Sequence, residues 1–507
     1  MDTGPKGRDM KRGWDDLDDD FDLIVVGGGI YGAWSAWDAC LRGLKVLLID
    51  KGDWASGTSS GSSKLLHGGL RYLENFEIGL VKKSLKERRV LYGIASNAVK
   101  PLEFIIPFYE DNRVPSWKVK IGLMLYDFLA GSEKFSSHRS LDTDQLNELY
   151  PFINKKDLKG SLVYGDCQMD DGRLVIDVIK SFVAKAGVAI NYCRFDSWDS
   201  DKKEAKIIDG LTGEEKIVKS KVMINSAGRW AFDLQEHLPK CRFSKGVHVC
   251  LPDVGLKEAM LLMAREDGRV IFIIPWYGRT MVGTTDTDYH GDLDIIEVNE
   301  EEQRYLLDKA NKVLSQDWKL SDVCGSFSGL RVMQASDSDH PSAVSREWQW
   351  VEAEDGVFAS IGGKYTSARA DSAVLIDQVM KYLGISAESR SDEVSLLSSA
   401  QKVESSKLLQ DLERYVDKEV AYQLHFRYGE NCLRIIEIFE QDSSLTSRIV
   451  EDLHFVWAEL IYSAQEEMVV NLDDLCRRRL PLKVLTPFKD KLRKKIQAKL
   501  KDYQVNL

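Results

Sequence analysis

The segment from Asp22 to Lys51 limits what this chain can fold into more than any other stretch of its 507 residues. Leu23–Val26 is an apolar, β-branched run of the kind that fills a buried parallel sheet, and Val46–Ile49 is a second one. Between them, Gly27, Gly29 and Gly32 supply a GxGxxG turn into a helix. This spacing predicts a compact βαβ unit whose helix N-terminus receives a diphosphate. Gly27 allows the tight turn, Gly29 lets backbone approach the ligand, and Gly32 lets helix and strand pack closely. Asp50, 18 positions after Gly32, is placed to accept from ribose hydroxyls.

A GxGxxG turn alone is weak evidence, but the strand before it, the helix after it and the acid at the next strand end agree on a dinucleotide. An NAD domain would continue in further βα repeats. Here the second strand runs instead into Gly57-Thr58-Ser59-Ser60-Gly61-Ser62-Ser63-Lys64, small hydrogen-bonding residues whose backbone is free to approach a ligand. FAD is therefore favoured, with a solvated Ser/Gly loop as the plainer alternative for this composition.

Gly57–Glu74, GTSSGSSKLLHGGLRYLE, with VGGGIYGA and RGLKVLLIDKGD before it, closely resembles the FAD-dependent glycerol-3-phosphate dehydrogenases. Further similar segments follow in order: Tyr164–Leu174, Ile224–Trp230, Lys245–His248, Phe272–Trp276, Gly283–Asp286, Ser328–Arg331, Ser345-Arg346 and Gly362–Thr366. The resemblance implies an α/β (α+β overall) fold, with a Rossmann-like FAD-binding domain, an antiparallel-sheet substrate domain and a C-terminal helical domain. It implies oxidation of sn-glycerol 3-phosphate to dihydroxyacetone phosphate by hydride transfer to FAD, with electrons passed to a membrane quinone. A glycerol-3-phosphate oxidase returning electrons to oxygen, and a catalytically weakened flavin-binding sensor or interaction protein, are the alternatives. The sensor reading is motivated by departures from the family pattern: Trp34, Val332 and Ala368, with Tyr31, Arg229 and Ser372 beside them. Arg229 stands where a proline is expected.

The resemblance also distributes roles. FAD is expected against Gly27, Gly29, Gly32, Asp50, Lys51, Thr58, Ser59, Ser63, Lys64, His67, Gly68, Gly69, Gly228, Gly362, Gly363 and Thr366. Oxidising a secondary alcohol with flavin needs the C–H carbon at the flavin N5, a base for the hydroxyl proton and positive charge beside the developing alkoxide. His248 is the first candidate for the base, with His67 its rival. Arg331 and Lys364 complete the expected catalytic set, while Arg71, Tyr72, Asp286 and Arg346 are expected to bind substrate. A planar guanidinium suits a phosphate, which gives Arg71, Arg331 and Arg346 their expected clamp. The eight histidines include no HxH or HExxH pair, so no metal site is expected, and no GxSxG elbow supports a hydrolase.

A chain of this length, 44% hydrophobic and 29% charged, buries a sizeable core in two or three domains. Its net charge of -11 argues against nucleic acid. Eight scattered cysteines with no CxxC pair read as reduced thiols of a cytoplasmic protein. Residues 1–20 lack an apolar signal core and read as a disordered tail. The FAD-binding domain is expected from 21–97 with 160–245 and 340–385, the substrate domain from 98–159 with 246–339, and the helical domain from 400–507.

No run reaches the length of a membrane span. Phe488, Leu492, Ile496, Leu500 and Val505, flanked by basic residues, instead predict an amphipathic helix resting on the anionic inner face of the cytoplasmic membrane. A terminal helix with its stripe against the protein is the bland alternative, and Trp117–Tyr126 is a second candidate contact. The expected partners are thus glycerol 3-phosphate, a quinone and an anionic membrane surface, with a homodimer left open.

Overall fold

The computed structural model describes residues 10–507 except 75, 111, 113, 236, 264–268, 335–347, 400–401 and 506, and only the backbone at Arg71 and 402–404. Strands β1 (Asp20–Val26) and β2 (Val46–Ile49) pair in parallel with Leu23 opposite Val46, and helix α1 (Ile30–Leu41) connects them. On its other edge β1 pairs in parallel with Glu215–Asn225, which pairs in turn with Val357–Ile361. Both faces of this sheet are apolar because both are covered. Leu23 and Val25 pack among residues of α1 and the helices Asp171–Ala184 and Ala368–Leu383. Ile24 and Val26 point the opposite way, into a layer with Phe195 and Ile207 of the antiparallel pair Cys193–Asp199 and Glu204–Asp209 and with Val218 of Glu215–Asn225. A period of two with apolar residues at every position is what a sheet buried on both faces requires.

Among the described residues the second sheet has ten strands and is mostly antiparallel. Val99–Tyr109 pairs along its length with Leu158–Met169, and Cys241–Pro252 lies between Arg279–Gly283 and Gly325–Gln334. The turn at Tyr277-Gly278 joins Val270–Trp276 to Arg279–Gly283 as a hairpin. Most of Leu158–Met169 falls in the stretch 160–245 expected in the cofactor domain, yet the strand joins this second sheet. Its burial on both faces resembles that of β1, so apolar pattern alone does not reveal its partner.

The N-terminal expectation is corrected for the described part of the tail. Residues 10–20 are docked: Trp14 is buried in the layer under β1, and Arg12 reaches across the chain to Asn191 O at 2.8 Å and to the Asp209 carboxylate. Residues 1–9 lie outside the described residues. The C-terminal membrane contact is corrected as well. The helix Asp490–Asp502 turns Ile496 and Leu500, 0% and 1% exposed, into the core formed with the helices before it, and Phe488, Leu492 and Val505 pack against the same core. A one-sided apolar stripe seeks any apolar cover, and here the protein supplies it.

Helices α2 (Ile78–Ile94) and α3 (Ser116–Ala130) pack together beside the second sheet. The helical C-terminal part is tied to the cofactor half by buried ion pairs, Arg173 with Glu467 and Arg479 with Asp53, the latter at 2.7 Å. Asp53 lies three residues beyond Asp50, so its pair with Arg479 braces the segment that follows β2.

Candidate active site

A cavity of about 640 Å³ runs from the N-terminus of α1 to the antiparallel sheet. At the α1 end much of the wall is glycine backbone. Gly27 has φ +109°, a conformation that side chains rarely adopt, and a Cβ there would lie 2.4 Å from Ser226 O. A Cβ on Gly32 would fall 1.8 Å from Gly27 O, so Gly32 serves helix–strand contact and does not line the cavity. Gly29 differs from both: its Cβ would meet only the Ser59 Oγ, at 3.0 Å, and the position faces the cavity. Ser59 Oγ accepts from the Ile30 amide at 2.9 Å. Asp50, at the end of β2, accepts from the amides of Gly28 and Gly52 at 2.6 and 2.8 Å, and burial pushes its carboxyl up to about 6. An open helix N-terminus, bare glycine backbone and a buried carboxylate form a cradle that fits a dinucleotide.

The remaining expected cofactor residues divide. Lys51, Thr58, Ser59, Ser63, His67, Gly69, Gly228, Gly362, Gly363 and Thr366 line the cavity. Lys64 and Gly68 do not. The Lys64 ammonium turns into the protein, where it bonds Asp171 at 2.6 Å and the Ser60 carbonyl at 2.8 Å. Gly68 faces helix α3, its amide donating to the Tyr126 hydroxyl at 2.8 Å. Lys51 lies in the wall but pairs with Asp294 at 3.1 Å. Thr58 donates its hydroxyl to Leu330 O at 2.6 Å, which fastens the Ser/Gly loop to the second sheet.

At the far end, sheet register collects the chemistry. Ser244 is opposite Arg331 and His248 opposite Phe327 on paired strands, so alternate residues place Ser244, His248, Arg331 and Phe327 on one face. His248 is 1% exposed, stacks on Phe327 with ring centroids 4.8 Å apart, and shares a hydrogen bond with Ser63 Oγ at Nε2, 2.9 Å. Its Nδ1 has no hydrogen-bond partner among the described residues. Burial, with Lys64 and Arg331 adding positive charge, holds the imidazole well below its usual range and therefore neutral at pH 7. The Arg331 guanidinium is held by Asp286 at 3.2 Å and Thr284 Oγ1 at 3.0 Å, with Asp286 bonded in turn by the Ser244 hydroxyl.

Two glycines that sequence reasoning passed over make this packing possible. A Cβ on Gly246 would lie 2.5 Å from the Arg331 Nη2, and one on Gly283 would lie 2.1 Å from the His248 ring. Both fall in segments quoted for the resemblance, but their steric role needs the cross-strand register. Tyr31, read as a departure, lines the cavity and pins the late glycine loop: its hydroxyl donates to Asp371 at 2.8 Å and accepts from the Lys364 amide at 3.0 Å. The Lys364 ammonium lies 3.3 Å from the centroid of Tyr72, and both residues line the cavity. His67 lines it too, 6.3 Å from Phe272 between ring centroids. The Arg71 side chain and Arg346 lie outside the described residues. Trp34 and Ala368 are buried core residues and Val332 lies in the cavity wall. No group of three His, Cys, Asp or Glu able to hold a metal occurs among the described residues.

Residues 22–367 match the family described as FAD dependent oxidoreductase, and residues 389–495 match the C-terminal domain of alpha-glycerophosphate oxidase. The aerobic glycerol-3-phosphate dehydrogenase of Staphylococcus aureus strain USA300 is 33% identical over 485 residues, covering 91% of this chain and 86% of the relative. Among solved structures, the glycerol-3-phosphate dehydrogenase from Bacillus halodurans complexed with FAD is similar with a TM-score of 0.77 at 25% identity, covering 96% of this chain and 92% of that one. The FAD-bound L-alpha-glycerophosphate oxidase from Mycoplasma pneumoniae shares the fold, with a TM-score of 0.58 at 14% identity over 75% of this chain and 99% of that one.

Proposed function

Because the chain belongs to the family of FAD-dependent glycerol-3-phosphate dehydrogenases, we propose that it oxidises sn-glycerol 3-phosphate to dihydroxyacetone phosphate and passes the electrons to a membrane quinone. The single observation that carries this reading is the joining, in one cavity, of a diphosphate cradle to a neutral histidine and an arginine on one sheet face. When bound, FAD supplies the two-electron acceptor that no side chain here provides. His248, uncharged and buried, takes the proton from the C2 hydroxyl of the substrate. Arg331, oriented by Asp286 and Thr284, holds the phosphate with Arg346, whose role rests on the resemblance. Lys364 places positive charge beside the substrate oxygen as negative charge develops there. Anaerobic mixing with glycerol 3-phosphate should bleach the flavin absorbance, and a quinone should restore it faster than oxygen does. Rapid reoxidation by oxygen with peroxide release would make the protein an oxidase, and no bleaching would leave the sensor reading.

Arg331→Ala and Arg346→Ala should each keep their flavin while losing about ten- to a hundredfold in kcat/KM for glycerol 3-phosphate. That corresponds to roughly 1.5–3 kcal/mol for one charge-assisted contact. Oxidation of plain glycerol should change little, because glycerol never engages the clamp. Unchanged flavin reduction by glycerol 3-phosphate in both variants would move the phosphate site elsewhere.

The membrane face is assigned to α3. Trp117, Ile121, Met124 and Phe128 recur on one side of this helix and are 55–80% exposed, while Val119, Leu123 and Tyr126 on the other side are buried. Large exposed apolar residues in register on a helix mark a docking face. Exposed Lys82, Lys86, Lys118 and Lys120 on α2 and α3 match an anionic bilayer, unlike the net acidic chain as a whole. Helix α3 also packs on the turn 70–73, of which Leu70 and Tyr72 line the cavity, so the docked face brings the cavity near the lipid. Changing Ile121 and Phe128 together to serine should release the protein from anionic vesicles in co-sedimentation while flavin reduction persists. Sedimentation equal to the unmodified protein would exclude this face.

A further inference from the structure

Arg229 follows the glycine of the turn Gly228–Trp230, at the end of the strand beside β1, and lines the cavity at its α1 end. It is only 7% exposed. Its guanidinium sits 4.1 Å from the Trp230 ring, and the Lys51 ammonium sits 4.2 Å from the same ring. There the resemblance between the two cations ends. Lys51 takes Asp294 as its ion partner at 3.1 Å, whereas Arg229 makes no hydrogen bond or ion pair with any described residue, and its Nε is buried without a partner. Asp294 and Tyr289 act on it only at longer range, and burial lowers the guanidinium to about 10. A guanidinium carries five donors and is poorly tolerated in a protein interior unless an anion meets it.

The position of the turn names that anion. Ser226 O would lie 2.4 Å from a Cβ on Gly27, so the segment leading to Arg229 abuts the glycine turn at which the diphosphate of a dinucleotide sits. Adenine, ribose and the oxidised flavin ring are uncharged at neutral pH, which leaves the diphosphate as the negative part of FAD. We propose that Arg229 is a cofactor-binding residue that meets the FAD diphosphate with its guanidinium, adding a side-chain cation to a cradle otherwise built from backbone amides. The stacking on Trp230 holds the guanidinium in place before the cofactor arrives, so little side-chain freedom is lost on binding.

Apoprotein of Arg229→Met, which keeps apolar bulk against Trp230 without the charge, and of Arg229→Lys, which keeps the charge, tests the assignment by titration calorimetry with FAD, ADP and adenosine. In Arg229→Met the dissociation constants for FAD and ADP should rise about ten- to a hundredfold while that for adenosine stays near its original value. Arg229→Lys should recover most of the loss, and the gap between Met and Lys variants should narrow as salt is raised. Arg229→Gln repeats the neutral test if the methionine variant does not fold. Affinity for FAD and ADP unchanged in the neutral variant overturns the proposal. So does an equal loss in the lysine variant, or a parallel loss for adenosine, since either would make Arg229 a packing residue. The failure of the dinucleotide site itself reads differently: it abolishes adenosine and ADP binding in the unmodified apoprotein.

Discussion

Gly29→Val should yield a folded, colourless protein. The three glycines of the turn are not equivalent, and the geometry says which one separates cofactor binding from folding. A side chain at Gly27 would meet the Ser226 carbonyl at 2.4 Å in a backbone conformation of φ +109°, and one at Gly32 would meet the Gly27 carbonyl at 1.8 Å. Either change drives backbone apart inside the βαβ unit and costs stability before it affects a ligand. At Gly29 the nearest atom is the rotatable hydroxyl of Ser59, 3.0 Å from the added Cβ, so the fold accommodates the change. The valine methyl groups then occupy the approach to the α1 N-terminus, where the diphosphate would take its amide hydrogen bonds. The purified variant should show an unshifted far-ultraviolet circular dichroism spectrum and no flavin absorbance. A yellow, fully loaded variant would place the diphosphate away from this turn.

His248→Asn should slow flavin reduction by glycerol 3-phosphate about 10²- to 10⁴-fold, the usual contribution of a positioned general base. Cofactor content should stay intact, because the imidazole contacts Ser63 and Phe327 at the far end of the cavity from the α1 N-terminus. The pH dependence has a definite sign. A histidine whose pKa is lowered remains a neutral proton acceptor as pH falls through its ordinary value, so this group loses activity only below 6.5. Stopped-flow reduction under anaerobic conditions should therefore be flat from pH 8 to pH 6.5 once the ionisation of the substrate phosphate is allowed for. Reduction by His248→Asn at the original rate would transfer the role of base to His67, which lines the same cavity.

Much of the cofactor half was legible because its information is local. The strand, turn, helix and acid between Asp22 and Lys51 lie within one βαβ unit, and its covering layers follow from continuous apolar runs. The substrate end was legible only as an ordered set of segments. That His248 meets Ser63, that Arg331 meets Asp286, and that Gly246 and Gly283 are small to make room for them, follows from contacts between stretches far apart in the chain. The destination of the lysine in the Ser/Gly loop, expected against the cofactor, was not legible for a related reason. A cation beside an expected cofactor has two possible destinations, and Lys64 took the buried carboxylate of Asp171.

By itself the sequence determined the dinucleotide unit and the amphipathic character of the C-terminal helix, because turns and hydrophobic periodicity act over a few residues. Tertiary structure alone decided which surface each apolar face covers. Ile496 and Leu500 had the pattern of a membrane-resting stripe and became core, while in the second candidate contact, Trp117–Tyr126, Trp117, Ile121 and Met124 were left exposed, with Phe128 one turn further on. It also decided that Trp14 and Arg12 dock a tail rich in charge, Arg12 through a partner at Asp209, and that Arg229 is buried without an ion pair among the described residues. Periodicity records that a face is apolar, and composition records that a charge is present. Which partner meets either one depends on contacts between residues hundreds of positions apart, and only the folded chain brings those together.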